Sequence, residues 1–301
     1  MTRVATIPLQ RTMSDAIQRS QQKLAVTQTQ LVTGKKATTL AQLGSEAVRN
    51  LSARSLVSAQ KAHVGVATQL GTTLSFYDTN ISGVETVATD LHQSILTSIG
   101  LGDGTGLQDT VEAAFNQFRS LLNASNAGVP LFSGSQASEP FTPTQLSDTV
   151  GLSAANAFIN DDVRASARAG DGIDIEYGVT ATDVGSDLFA AFRTLAEAGS
   201  IGNKPTAAQV ASLKTALGQI DTALGNVRAV NANNGRKQAQ VETLGIRAEQ
   251  RTLVLNDIIS KNEDADLGQI AIDLAQQQSV LEASYSVFSK LSGLNLSNYL
   301  R

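Results

Sequence analysis

Chemistry in this chain of 301 residues must start from groups that titrate, attack a bond or hold a metal, and such groups are few. There are two histidines and no cysteine, which excludes thiolate metal sites, disulfides and thiol nucleophiles. His63 falls on an apolar helical row and reads as a packed seam histidine rather than a ligand. His92 sits beside Leu91 on the same helix and reads as solvated. The two are 29 positions apart, about 43 Å at helical rise, so one chain cannot bring both to one metal. Acids group at Asp161-Asp162, at Asp171 and Asp174, and at Glu263-Asp264 with Asp266. The last group precedes a helix, where acids favour the N-terminus, and no group has the closing Glu of a calcium loop. The glycines between Gly100 and Gly106 lack the Lys-Ser/Thr pair and the preceding strand of a phosphate loop. The Asn-Xaa-Ser triplets at Asn50, Asn123 and Asn295 arise often by chance and carry no weight. No catalytic, metal or cofactor residue is assigned.

The pattern of apolar residues is far more specific. Near the N-terminus Met13, Ile17, Ser20, Leu24, Thr27 and Leu31 are spaced alternately by four and three. Near the C-terminus Ile270, Leu274, Gln277, Leu281, Ser284, Phe288 and Leu291 repeat that alternation, the mark of a coiled-coil seam. Val280, Val287 and Leu294 form a second apolar stripe on the C-terminal arm, which one partner helix cannot cover. These residues are the candidate assembly interface.

Between the arms, Gly34 is a plausible helix end. A helix then runs from about Ser45 to Ser98 with a seam from Leu56 to Ile95, about 80 Å at helical rise. The seam takes one extra step of four between Leu70 and Leu74, a stutter. A return helix carries Leu107, Val111, Phe118 and Leu121 and ends before Gly128-Val129-Pro130. Ile173, Ile175, Tyr177 and Val179 alternate with polar residues or glycine, which predicts a strand, and Gly170-Asp171-Gly172 predicts a hairpin back onto 163–169. Helix returns at Leu188, Phe192 and Leu195, and a longer one runs through Val210, Leu224, Val241 and Ile258. The predicted fold is mainly α, with long antiparallel helical rods, terminal coiled-coil arms and a small β-rich insert. The boundaries are 1–40 with 262–301 for the arms, 41–130 with 186–261 for the rods, and 131–185 for the insert.

Composition agrees with packed helices. Hydrophobic residues are 42%, charged residues 17% and net charge −4, so no basic surface for nucleic acid or anionic membrane is expected. Aromatics are 4% with no Trp, which is poor material for an enzyme pocket. Met1–Pro8 has no apolar stretch of a cleaved leader, and no run approaches the roughly 18 apolar residues of a membrane span.

Several spellings resemble one family. Leu31-Val32-Thr33-Gly34-Lys35-Lys36 resembles the turn that ends the first helix of flagellins and flagellar hook-associated proteins. Thr39–Gly44 and Leu51–Arg54 resemble the alphaproteobacterial junction branch of that family, which lacks the usual Asp-Asp-Pro segment. Leu131-Phe132-Ser133-Gly134, with Pro140-Phe141, resembles the point where the junction proteins leave the rod, and Gly185–Phe189 the point of return. Glu263–Leu267, Gln276–Gln278 and Leu291–Leu300 resemble the family's C-terminal helix. The resemblance covers both arms and both rods and matches the insert only at its edges.

The resemblance implies a flagellin-like fold without enzymatic activity or cofactor, and an adaptor role at the junction of hook and filament. It implies a homo-oligomer in a helical tube, a neighbouring hook-associated protein on the hook side, flagellin on the filament side and an export chaperone on the C-terminal arm. It implies export without a cleaved signal, an extracellular position on the flagellum, and arms that order on assembly. The alternatives are a filament subunit, a cytoplasmic coiled-coil scaffold and, least supported, an enzyme in the insert, where 131–185 holds no His or Cys.

Overall fold

A computed structural model describes residues 6–293. Seven α-helices and four short strands follow in chain order: α1 (Thr6–Thr33), α2 (Glu46–Leu101), α3 (Leu107–Leu122), β1 (Ser125–Asn126), β2 (Val129–Pro130), α4 (Ala154–Ala157), β3 (Ala165–Gly170), β4 (Ile173–Tyr177), α5 (Ala181–Glu197), α6 (Ala207–Glu263) and α7 (Leu267–Gly293). Two 3-10 turns, Leu40–Leu43 and Leu146–Thr149, complete it. The expected mainly-α fold with long helices is the fold observed, while the insert expected to be β-rich carries one two-stranded hairpin. The chain forms two compact units, residues 1–58 with 251–301 and residues 59–250.

The second unit holds one continuous core. Leu74, Ile81, Val84, Ala88, Leu91 and Ile95 of α2 meet Leu213, Ile220 and Val227 of α6 and the apolar faces of α3 and α5. Side chains recur at three and four because that spacing keeps them on one helical face. Phe141 is the centre of an aromatic cluster, with ring centroids 5.3 Å from Phe118, 5.2 Å from Phe158, 5.9 Å from Phe189 and 6.0 Å from Phe115. Phe192 closes it at 5.4 Å from Phe115 and 5.3 Å from Phe118. Each such pair contributes about 0.5–1.5 kcal/mol beyond the area it buries. Phe141 and Phe158 come from 131–185, so that segment shares its core with the helices of its unit. Most of it is loop and turn. Its longest regular part is the β3–β4 hairpin, paired antiparallel from Ala165↔Tyr177 to Gly170↔Ile173, with Ile175 and Ala169 turned into the core. Arg168 and Asp174 pair across it at 2.9 Å.

Polar contacts fix the ends of these elements. Thr180 and Asp183 form a reciprocal capping box on α5, with Asp183 N donating to Thr180 Oγ1 at 3.2 Å and Thr180 N to Asp183 Oδ2 at 3.1 Å. The Tyr77 hydroxyl donates to the Leu131 carbonyl at 2.6 Å, and burial pushes its pKa up. His63 Nε2 lies 3.2 Å from Asp171 Oδ1, and His92 Nε2 lies 3.2 Å from Asp221 Oδ1. Each histidine thus has a carboxylate partner, and His92, with its side chain 27% accessible, is less open than a solvated reading implies.

Two glycines mark the edges of 131–185. Gly134 has φ +69°, and a Cβ there would collide with the carboxylate and carbonyl of Asp161. That carboxylate accepts from Ser135 N at 2.8 Å, Val163 N at 3.1 Å and Gln136 Nε2 at 3.1 Å, and also from the Ser135 hydroxyl. These bonds, those from Ser135 foremost, pull its pKa down to about 2. A Cβ on Gly185 would stand 2.8 Å from Leu122 Cδ1 and 3.1 Å from Phe118 Cζ. By contrast, nothing lies within 4 Å of a Cβ on Gly71 in α2.

Gly134→Ala should therefore cost more than about 2 kcal/mol in thermal unfolding, while Gly71→Ala should be neutral or stabilising by up to about 1 kcal/mol. The Asp161 carboxyl has its folded pKa depressed from 3.8 to about 2. Its contribution is present above about pH 4 and lost as pH falls through about 2, and Asp161→Asn should remove that acid-dependent component of the unfolding curve.

Candidate assembly interface

The first unit is built differently. Helix α1 lies antiparallel against α7, as three cross-contacts fix: Gln21 Nε2 donates to the Tyr285 hydroxyl at 2.5 Å, Thr27 Oγ1 donates to Gln277 Oε1 at 3.1 Å, and the Lys35 and Asp264 backbones form an antiparallel bridge. Ile17, Thr27 and Ile270 are buried along this seam. Met13, Ser20, Leu24, Leu274, Gln277, Leu281, Ser284 and Phe288 are half-buried, and Leu31 is exposed. The structure thus brings most of the two predicted rows to one seam. Val280 and Val287 do not join it: they are 51% and 46% exposed, with Ile272 at 63%. The side chain of Leu291 and the whole of Leu294 lie outside the described residues.

Burial within this unit is sparse. Among the described residues its buried apolar side chains are Ile17, Ala53, Val57 and Ile270. Val26 and Val32 of α1, Val48 and Leu51 of α2, and Leu253 and Val254 of α6 are exposed alongside the α7 stripe. Apolar surface removed from water is worth roughly 25 cal/mol per Å². A unit that leaves this much of it open has few of the contacts that offset the entropy of ordering two helices.

A polar clamp ties the two arms at their base. Lys36 N donates to the Glu263 carbonyl at 2.7 Å and Ala265 N to the Gly34 carbonyl at 2.9 Å. Lys35 Nζ sits 2.5 Å from Asp264 Oδ1 and 3.5 Å from Glu263 Oε2. Arg54 Nη2 reaches Glu263 Oε1 at 2.5 Å, and Arg54 Nε donates to the fully buried Asn50 at 3.1 Å. The Glu263 side chain is only 12% accessible. The Asp264 hydrogen bond raises the Lys35 pKa, and the same bond, with Ser260, lowers that of Asp264. Burial alone would raise Glu263, but hydrogen bonds from Arg54 and Asn50 and the charges of Arg54 and Lys35 pull it below its ordinary value. Asp266 accepts from Gly268 N at 2.9 Å and Gln269 N at 3.2 Å and caps α7. Of the acid group 263–266, only Asp266 caps the helix; Glu263 and Asp264 answer Lys35, just after α1, and Glu263 also answers Arg54 of α2.

Sequence spacing did not single out this clamp. Its signal is the basic pair Lys35-Lys36 just after the first arm helix, matched by the acidic pair Glu263-Asp264 just before the other. Among the described residues no group of His, Cys, Asp and Glu could hold a metal ion, and no described helix is long and apolar enough to cross a membrane.

A mainly-α chain with paired terminal helices, two very long helices and a short looped insert defines a recognisable architecture. Solved structures share it. One is a flagellar hook-associated protein from Vibrio parahaemolyticus, with TM-score 0.62, 17% identity, and coverage of 74% of this chain and 100% of that one. Another is FlgL of Bacillus cereus, with TM-score 0.56, 14% identity, and coverage of 70% of this chain and 98% of that one. At these identities the likeness establishes the fold. No protein-family model and no curated protein matches the sequence.

The clamp has a defined pH window. The depressed carboxylates contribute above their ordinary pKa values of 3.8 and 4.5 and fail as pH falls through their lowered ones; Lys35 contributes below 10.5 and fails as pH rises past its raised value. The amide resonances of Lys36 and Ala265 should therefore hold their positions from about pH 5 to 10 and move outside it, and Glu263→Gln should shift both at pH 7.

Proposed function

We propose that this chain is a structural subunit of the bacterial flagellum, an adaptor at the junction of hook and filament that assembles through its terminal helices. The observation that carries the reading is the uncovered Ile272–Val280–Val287 stripe of α7, on an arm pair with almost no core, in a fold shared with hook-associated proteins. A stripe that α1 leaves open is suited to neighbouring copies. Contacts between unlike surfaces that do not close on themselves generate a helical tube.

In this reading residues 1–40 and 262–301 are the assembly layer, the long helices the supporting layer, and 131–185 the outward part. Met13, Ile17, Leu24, Leu31, Ile270, Leu274, Leu281, Phe288 and Leu291 pair the arms, while Val280, Val287 and Leu294 meet neighbours. The arms complete their ordering when neighbours cover them, so that interface burial offsets the entropy of ordering. A hook-associated protein lies on the hook side and flagellin on the filament side. An export chaperone shields the C-terminal arm, and passage out of the cell uses the flagellar export route without a cleaved signal. The role is structural and requires no catalysis or cofactor.

Two substitutions separate pairing from assembly. Leu281→Asp should place a charge in the arm seam and block both arm pairing and incorporation into flagella. Val280→Asp should leave circular dichroism and the thermal midpoint of the free chain unchanged, yet reduce incorporation at least tenfold by quantitative blotting of sheared flagella. Normal incorporation of both variants overturns the reading. Recovery of the chain as the bulk of filament mass would make it a filament subunit instead, and its confinement inside cells would make it a scaffold.

A further inference from the structure

Helix α6 carries an apolar row with a strict step of seven: Leu213, Ile220, Val227, Asn234, Val241 and Ala248. Every member is buried, from 0% to 4% exposed, and Asn234 is the one polar residue among them. Its Nδ2 donates at 2.8 Å to the main-chain carbonyl of Leu74 on α2. Leu74 is itself fully buried on the apolar row that α2 turns inward, Ala67, Leu70, Leu74, Tyr77 and Ile81, whereas Leu56, where the sequence placed the start of that row, is 49% exposed. One turn away, Asn231 Nδ2 donates to Ser82 Oγ at 3.1 Å. The two asparagines, Asn234 buried and Asn231 half-buried, set neighbouring polar groups against α2.

Leucine, valine and isoleucine at a step of seven are nearly indifferent to sliding by one heptad, or to pairing with another copy of the same helix. Contacts between such side chains are non-directional, so shifted pairings bury comparable area. An asparagine is not indifferent, because its amide must find an acceptor wherever it is buried. In the observed register it finds one on α2. Shifted by seven residues, about 10 Å, it would face a different stretch of the partner. Paired with a second α6 it would lose the Leu74 carbonyl altogether. A polar residue at one core position of a heptad seam specifies register and partner at a cost in stability.

We infer that Asn234 is the specificity-determining residue of the α2–α6 pair: it selects this register, and pairing within the chain, over slipped and copy-to-copy pairings of the same apolar row. The inference does not depend on what the arms bind.

The chain has no cysteine, so a single pair of spin labels can be introduced cleanly. Thr79→Cys and Ala232→Cys place both labels on exposed positions of the two helices. Distance distributions by pulsed electron resonance, with mass by light scattering, would then be compared for the full chain and for Asn234→Leu and Asn234→Ala. The parent should show one narrow distance. Asn234→Leu should raise the thermal midpoint by roughly 2–6 °C and yet add a second distance, displaced by about 10 Å, or a species of twice the parent's mass. Asn234→Ala should lose the single distance without the stabilisation. If both variants keep the parent's single distance and mass, the inference is overturned. If Asn234→Leu fails to fold, the distances of Asn234→Ala decide the matter alone.

Discussion

Apolar burial is distributed unequally between the two units, and much of what the molecule can do follows from that imbalance. The long seam of α2 against α6, joined by α3, α5 and the phenylalanine cluster, takes nearly all of it. Stability is a small difference between burial and conformational entropy, so a unit without a core of its own has little in hand. Among the described residues the arm pair has two buried apolar side chains, Ile17 and Ile270, and a second uncovered stripe. The second unit thus carries a core of its own, while the first leaves apolar surface uncovered within the chain.

Polar groups then decide geometry more than stability. The pairs Lys35–Asp264 and Arg54–Glu263 join partly exposed cations to carboxylates, and exposed ion pairs contribute about 0–1 kcal/mol each. Their importance lies in place. They sit where α1 ends and α7 begins, and with the two backbone bonds between 34–36 and 263–265 they bring residues more than two hundred positions apart to one point. Two helices started from a common point meet at a high effective concentration and need less intrinsic affinity to pair. The capping box at Thr180 and the Asp161 carboxylate at Gly134 do comparable work in the second unit, each ending one run of backbone and beginning the next.

Much of this was legible in the sequence, because helical period is a local signal. The rows of α1 and α7, the ends of α2 and α3, and the hairpin around Asp171 all follow from the spacing of a few residues and from glycine positions. What spacing could not show is long-range. The low aromatic content reads as poverty, yet most of the phenylalanines are gathered in one cluster drawn from α3, α5 and the loops between them. Phe141 and Phe158 have no period, so nothing local marks them as core, and 131–185 looks more separate in sequence than it is in space. The clamp was hidden for the same reason, its charges lying more than two hundred positions apart with no shared period. The Gly134 and Gly185 spellings were visible as resemblance alone, and the structure supplies their cause in the contacts that a Cβ would violate.

The polar members of the arm seam carry the last step. Thr27 is buried and bonded to Gln277, with Ser20 and Ser284 half-buried on the same rows. A pair of helices selected to be stable alone would fill those positions with leucine or isoleucine, each worth roughly 1.5–3 kcal/mol when fully buried. Hydroxyl and amide groups there gain about 0.5–1.5 kcal/mol per hydrogen bond, and only when correctly aligned. The seam is therefore weak but selective about alignment, while the strongly apolar Val280 and Val287 point away from it. An arm pair that is poorly held from within and adhesive on its outer face gains most of its stability from whatever covers that face. In the function proposed above, its ordering is tied to assembly and not to the folding of the single chain.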